Sequence, residues 1–413
     1  MSSLCSGCGD LRRAMNSFCV LLIVLGLVFS PAAIADVEWE EDGWLNTNLV
    51  KERLNNGDEF GCYDIPGLSW ENDPGAVAGE CRQYIEQRTE ASLWGENPIS
   101  TYTPNGLSMS QHQIISKQGF VVHGDLNGLD YTAWHNNSDV PEDLWDWYNL
   151  GRRGGSLEQI IGSVDDVREA VEEGGLVNLY WIGRVHEATI RHDSDIEDYI
   201  SNDADAWLTT WGQSWSYWAK SKCYEFDHSI ISQGENYILN FESLIKEQCT
   251  NLLPERWNVP ITWMLDIGSS DIINISADGE PLENITQQRH TREGYSKLPN
   301  QYLHLSITDG KSVNITIESD EYDVMGISEF WNNHTSAITI AAHETSDLFK
   351  WSKRFVGQED LVFTWLLEPR TMDGDADWLP YAAVVVGATA ILTMLVVLKR
   401  EGLGPLAKRE SEE

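Results

Sequence analysis

Residues 379–398 (LPYAAVVVGATAILTMLVVL) carry no charge. At 1.5 Å per residue, a helix of this length covers about 30 Å, the thickness of a bilayer hydrocarbon core. Asp373, Asp375 and Asp377 precede the run, and Lys399 and Arg400 follow it at once. Positive charge on the carboxyl side assigns that side to the cytoplasm. The expectation is one transmembrane helix at 379–398, an acidic linker at 371–378 and a cytoplasmic tail at 399–413.

The amino terminus predicts the same topology. Arg12 and Arg13 precede a short apolar core (FCVLLIVLGLVF), Ser30-Pro31 breaks it, and Ala33-Ile34-Ala35 is a small-x-small cleavage site. This is the pattern of a secretory signal peptide over 1–35. The expected location is the plasma membrane, with residues 36–378 outside the cell.

Composition limits the partners. The chain holds 65 acidic and 28 basic residues, a formal net charge of −37. A field of that sign repels nucleic acid. Of the 7 cysteines, Cys5, Cys8 and Cys19 lie in the signal segment. Cys62, Cys81, Cys223 and Cys249 remain, an even number in an oxidising compartment, and nearest-neighbour pairing is the simplest connectivity. Sequons at Asn136, Asn274, Asn284, Asn314 and Asn333 mark candidate glycosylation sites, most of them after residue 270.

Read in order, the chain changes character near Pro254. Residues 36–253 read as a distal, Trp-rich α+β domain. Residues 61–81 are Gly- and Pro-rich and read as a stapled loop. FVVHGDL and LDYTAWH flank Asn127-Gly128, a strong hairpin turn. Residues 156–173 place Leu157, Ile160, Ile161, Val164, Val167 and Val171 at helical spacing, Gly174-Gly175 stops them, and LVNLYWIGRV follows as a strand. At 203–222, Trp207, Trp211, Trp215 and Trp218 form one helical stripe. So much aromatic area reads as core before it reads as an exposed platform.

His123, Asp125, His186, Glu187 and His192 could together supply a divalent-metal site, because imidazole and carboxylate are ordinary ligands. The turn at 124–128 resembles the Gly-Asp-x-His-Gly metal turn of metallophosphoesterases, with Asn127 in place of the ligand histidine.

Residues 254–370 read as a membrane-proximal β-sandwich: short alternating runs separated by Asp, Gly, Ser and Asn. YLHLSIT and SVNITIE, joined through Asp309-Gly310-Lys311, read as its clearest hairpin, with Leu303, Leu305 and Ile307 facing inward beside Val313, Ile315 and Ile317. Residues 300–327, including the DGKS turn and Tyr322-Asp323-Val324, resemble part of the pre-peptidase C-terminal β-sandwich modules. That resemblance implies an accessory or binding module without catalysis.

The expectation is therefore an α+β ectodomain, distal α/β part first and β-sandwich second, on a single membrane span. Its function reads as display for binding, adhesion or envelope structure, with an unidentified protein or glycan ligand. The alternatives are a tethered metal-dependent hydrolase and an accessory subunit of a membrane complex.

Overall fold

The computed structural model describes residues 39–40, 48–104, 106–124, 148–149, 154–156, 163–182, 194–249, 257–298, 301–343 and 360–371. Glu40–Arg370 forms one compact unit, and the fold described is that unit's.

The first half builds strands and helices in alternation. Helix α1 (Asn48–Asn56) buries Val50 and Leu54 and ends at Gly57, whose φ of +105° a side chain would resist. Strand β1 (Glu59–Cys62) follows, buried throughout. Helix α2 (Pro74–Glu86) opens on Asp73, whose carboxylate accepts from Ala76 N at 3.0 Å, with Pro74 in the first turn. Its buried residues Val77, Ala78, Cys81, Tyr84 and Ile85 recur at helical spacing. Strand β2 (Ser100–Tyr102), helix α3 (Met109–Lys117) and strand β3 (Val122–Gly124) come next. Two short strands follow, β4 (Tyr148–Asn149) and β5 (Gly154–Ser156). Helix α4 (Val164–Glu173) is capped by Ser163, and strand β6 (Gly175–Ile182) runs on from Gly174. Helix α5 (Ser194–Asn202), strand β7 (Trp207–Thr209) and helix α6 (Trp211–Cys223) complete this half.

Two long antiparallel strands then leave α6: β8 (Tyr224–Gln233) and β9 (Asn236–Ile245), turning at Gly234. They are followed by β10 (Ile261–Asp266), β11 (Ile272–Ala277), β12 (Glu280–Pro281), β13 (Gly294–Lys297), β14 (Leu303–Ile307), β15 (Ser312–Ile317) and β16 (Asp323–Ile327). Strands β17 (Ser336–His343) and β18 (Thr364–Leu367) follow the antiparallel strands.

The expected order of a distal α/β part followed by a separate sandwich is overturned by the strand pairing. The main sheet runs β4-β3-β2-β1-β18-β17-β6-β5, with β7 also on β17, and every pair described is parallel. Its centre is supplied by β17 and β18, from the far end of the sequence. The antiparallel part is inserted between α6 and β17, and it starts at Tyr224. This is a mixed α/β protein: a parallel sheet wound outward from β1, completed by late strands, with a two-sheet insert.

The insert stacks a five-stranded sheet, β12-β11-β15-β9-β8, on a four-stranded one, β13-β14-β10-β16. Leu239, Phe241, Ile275, Val313, Ile315 and Ile317 of the first are buried in one core with Trp263, Leu265, Leu303, Leu305 and Ile307 of the second. Phe226 meets Trp263 edge-on at 4.0 Å across the two sheets. The expected 303–317 hairpin is therefore not a pair of bonded neighbours. β14 pairs with β10 and β13, whereas β15 pairs with β9 and β11. The inward rows are as expected, because alternation reports which face is buried and not which strand lies alongside.

Helix α6 joins the two parts. Every residue from Trp211 to Lys220 is buried. Toward the parallel sheet, Trp211 Nε1 donates to Asn178 Oδ1 at 2.9 Å and Trp211 N to Thr364 Oγ1 at 3.0 Å. Toward the insert, Tyr217 Oη donates to Ser328 O at 2.8 Å and Lys220 Nζ to Val259 O at 2.7 Å. The tryptophan stripe is core, but Trp207 belongs to the preceding strand β7 and the helix begins at Trp211.

Both expected disulfides are present. Cys62–Cys81 ties β1 to α2, and Cys223–Cys249 ties the end of α6 to the chain just past β9. The helix expected over 156–173 starts only at Val164, and Gly154–Ser156 is strand β5. Val122–Gly124 pairs in parallel with β2 and β4, so it is a sheet strand; the proposed hairpin turn at Asn127-Gly128 lies outside the described residues. Among the described residues no helix is long and apolar enough to cross a membrane, which corrects the fold expectation on that point. The signal segment 1–35, the linker residues 372–378 and the stretches 379–398 and 399–413 lie outside those residues.

Candidate functional site

Parallel sheets of this kind offer ligands a crevice at the carboxyl ends of the strands, where the winding direction reverses. Here that point falls between β1 and β18. The chain leaving β1 crosses it: Tyr63 N donates to Leu367 O at 2.8 Å, and Tyr63 stacks on Tyr102 at 4.8 Å. Thr101 Oγ1 also donates to Cys62 O at 3.2 Å.

Of the expected metal ligands, His123 is described and Asp125, His186, Glu187 and His192 lie outside the described residues. His123 sits in β3 and is buried. Its Nε2 lies 2.7 Å from Phe120 O, and a carbonyl only accepts, so Nε2 carries the proton. Its Nδ1 faces His112 Nδ1 of α3 at 2.9 Å. With His123 neutral, Nδ1 accepts and His112 donates. Burial, and then the neighbouring His112, push the His123 pKa down to about 3, while the Phe120 carbonyl resists. Strands β3 and β6, which lead into the two halves of the expected cluster, stand five strand spacings apart in the sheet. At about 4.8 Å per spacing that is roughly 24 Å. Among the described residues no group of three or more His, Cys, Asp or Glu is placed to hold a metal.

The opposite, amino-terminal edge carries two groups that sequence reading missed. Asp58 and Glu59, entering β1, are fully buried. Asp58 receives Arg53 Nε at 2.5 Å and Nη2 at 2.9 Å, Trp365 Nε1 at 2.6 Å and Phe363 N at 3.1 Å. Burial raises its pKa despite the Arg53 charge. Glu59 reaches the first turn of α6, accepting from Thr210 Oγ1 at 2.9 Å and from Gly212 N at 2.9 Å. Burial pushes its pKa up to about 7, against the hydrogen bonds from Thr210 and Gly212. A carboxylate at a helix amino terminus is favoured by the exposed N–H groups, so Glu59 acts as an internal cap.

Beside this cap lies a cavity of about 280 Å³. Gln213 forms one wall, its amide held by Gly57 O at 2.6 Å and by Thr291 Oγ1 at 2.7 Å. Trp207 Nε1 donates to the same threonine hydroxyl at 2.9 Å. His290, Arg292 and Asp360 also line the cavity, and Leu93 supplies exposed apolar surface. His290 Nε2 meets Asp360 O at 3.0 Å, and burial lowers its pKa. These residues come from sequence positions 55–57, 93, 208, 213, 290–292, 360 and 362. No spacing in the sequence links them; only the late arrival of β18 beside β1 brings 360–362 to this edge.

No protein-family model matches the chain, and a search of curated proteins found no significant match.

Proposed function

We propose that this protein works outside the cytoplasm, at the cell surface, as a binding or envelope component and not as an enzyme. The pair of disulfides carries the reading. Cys62–Cys81 and Cys223–Cys249 each close a local loop within the compact unit, and such crosslinks persist in oxidising compartments. The acidic surface, with 65 acids against 28 bases, suits a solvated exterior and disfavours nucleic acid or anionic lipid as partners.

The insert supports the binding role. Ser229, Asn240, Asn314 and Ser276 lie in register across β8, β9, β15 and β11 on the face turned away from the sandwich core. That face mixes these polar groups with exposed Ile231 and Leu244, which suits a protein or glycan partner, and Asn314 and the neighbouring Asn274 suit glycan attachment there. Asn284 and Asn333 are exposed, and Asn136 lies outside the described residues.

Protease added to intact cells, followed by mass spectrometry of released peptides under non-reducing conditions, tests the placement. Release of 224–327 peptides, with Cys223 joined to Cys249, is expected. Protection of those peptides in intact cells, with cleavage only after lysis, contradicts it.

A further inference from the structure

The amino-edge cavity is built to hold something small and polar. Its inner wall is already satisfied: the Gln213 amide is fixed by Gly57 and Thr291. The start of α6 is closed to an outside anion, because Glu59 takes Gly212 N–H and Thr210 Oγ1 takes Gln213 N–H. What remains is on the rim. Arg292 has its backbone carbonyl engaged by Trp331, but its guanidinium makes no hydrogen bond or ion pair among the described residues. Arg292 is exposed, so its guanidinium is open to solvent and to a ligand. Three other lining residues offer acceptors. His290 spends its Nε2 proton on Asp360 O, which leaves Nδ1 to accept. Asn56 spends Nδ2 on Leu361 O at 2.8 Å, which leaves Oδ1 to accept. Asp360 adds a carboxylate.

We propose that this cavity binds a small carboxylate that carries hydrogen-bond donors close to its acid group, an amino acid or a sugar acid. Arg292 takes the carboxylate through its planar fork. Asn56, His290 and Asp360 accept from the ligand's hydroxyl or ammonium groups, and Leu93 covers its carbon skeleton. A volume of about 280 Å³ lies at the lower end of the range for ligand pockets, which restricts the ligand to a single sugar or amino acid.

Calorimetric titration of the full chain with L-serine and D-glucuronate, beside serinamide and methyl glucuronate, tests this. At least one acid is expected to bind, its carboxyl-blocked partner at least tenfold more weakly. Arg292→Gln is expected to weaken the acid at least tenfold while leaving the thermal midpoint of the unliganded protein unchanged. Which acid binds identifies the source, and Asp360→Asn weakens serine more than glucuronate. Failure of both acids to bind, equal binding of the blocked forms, or full affinity in Arg292→Gln overturns the proposal. The extracytoplasmic placement stands or falls separately, on the protease experiment.

Discussion

At the scale of single residues, the parallel sheet stores two opposite pH dependences. Glu59, with its pKa raised from 4.5 to about 7, binds a proton in the fold that the unfolded chain releases earlier. Its contribution is therefore complete below pH 4.5 and is lost as pH rises toward 7, by at most about 3 kcal/mol at 1.36 kcal/mol per unit. His123, lowered from 6.5 to about 3, works the other way: its contribution is present above 6.5 and is lost as pH falls toward 3. Urea unfolding of Glu59→Gln should show stability that no longer declines between pH 5 and 7. His123→Gln should lose less stability than the parent between pH 6.5 and 4. An unchanged slope in either variant would contradict its assignment. Arg53→Met is expected to cost about 3–5 kcal/mol in the same measurement, since it strands the buried Asp58 carboxylate. None of these roles was legible in the sequence. Asp58-Glu59 carries no signal there, because nothing local announces that α6 and residues 361–365 will close over it.

At the scale of elements, the tryptophan helix was the most legible feature and the sandwich pairing the least. Trp211, Trp215 and Trp218 follow helical spacing and are buried, as so much aromatic area demands. The helix is buried on all sides, so its stripe does not mark a single packing face. Trp215→Ala should therefore lose about 3–5 kcal/mol, read as a lower urea midpoint with loss of cooperativity in both the parallel sheet and the insert. An exposed aromatic platform would instead tolerate the change. The 303–317 segment shows the limit of pattern reading. Leu303, Leu305, Ile307 and Val313, Ile315, Ile317 alternate equally well as bonded neighbours or as facing rows of two sheets. The turn at Asp309-Gly310 permits either. The disulfides were legible because four cysteines in near pairs leave a simplest connectivity, and each staple closes a short stretch of chain.

At the scale of the whole molecule, the domain order was misread for a topological reason. AITIAA and LVFTWLL are short apolar runs, and after several true sandwich strands they read as more of the same. A strand buried in a parallel sheet looks no different locally. Only pairing reveals that Ala337–Ala342 lies along Leu176–Trp181 and that Thr364–Leu367 lies along Glu59–Cys62. The insert is thus bracketed by the sheet it interrupts, and the stability of the first half depends on strands more than 150 residues later. Native-state hydrogen exchange in low urea tests this directly. Amides of β17 and β18 should open with those of β1 and β6, at one free energy and one urea slope. Opening of β17 and β18 together with β14 and β15, while β1 and β6 stay protected, would contradict the fold on which the cap, the cavity and the inserted sandwich all depend.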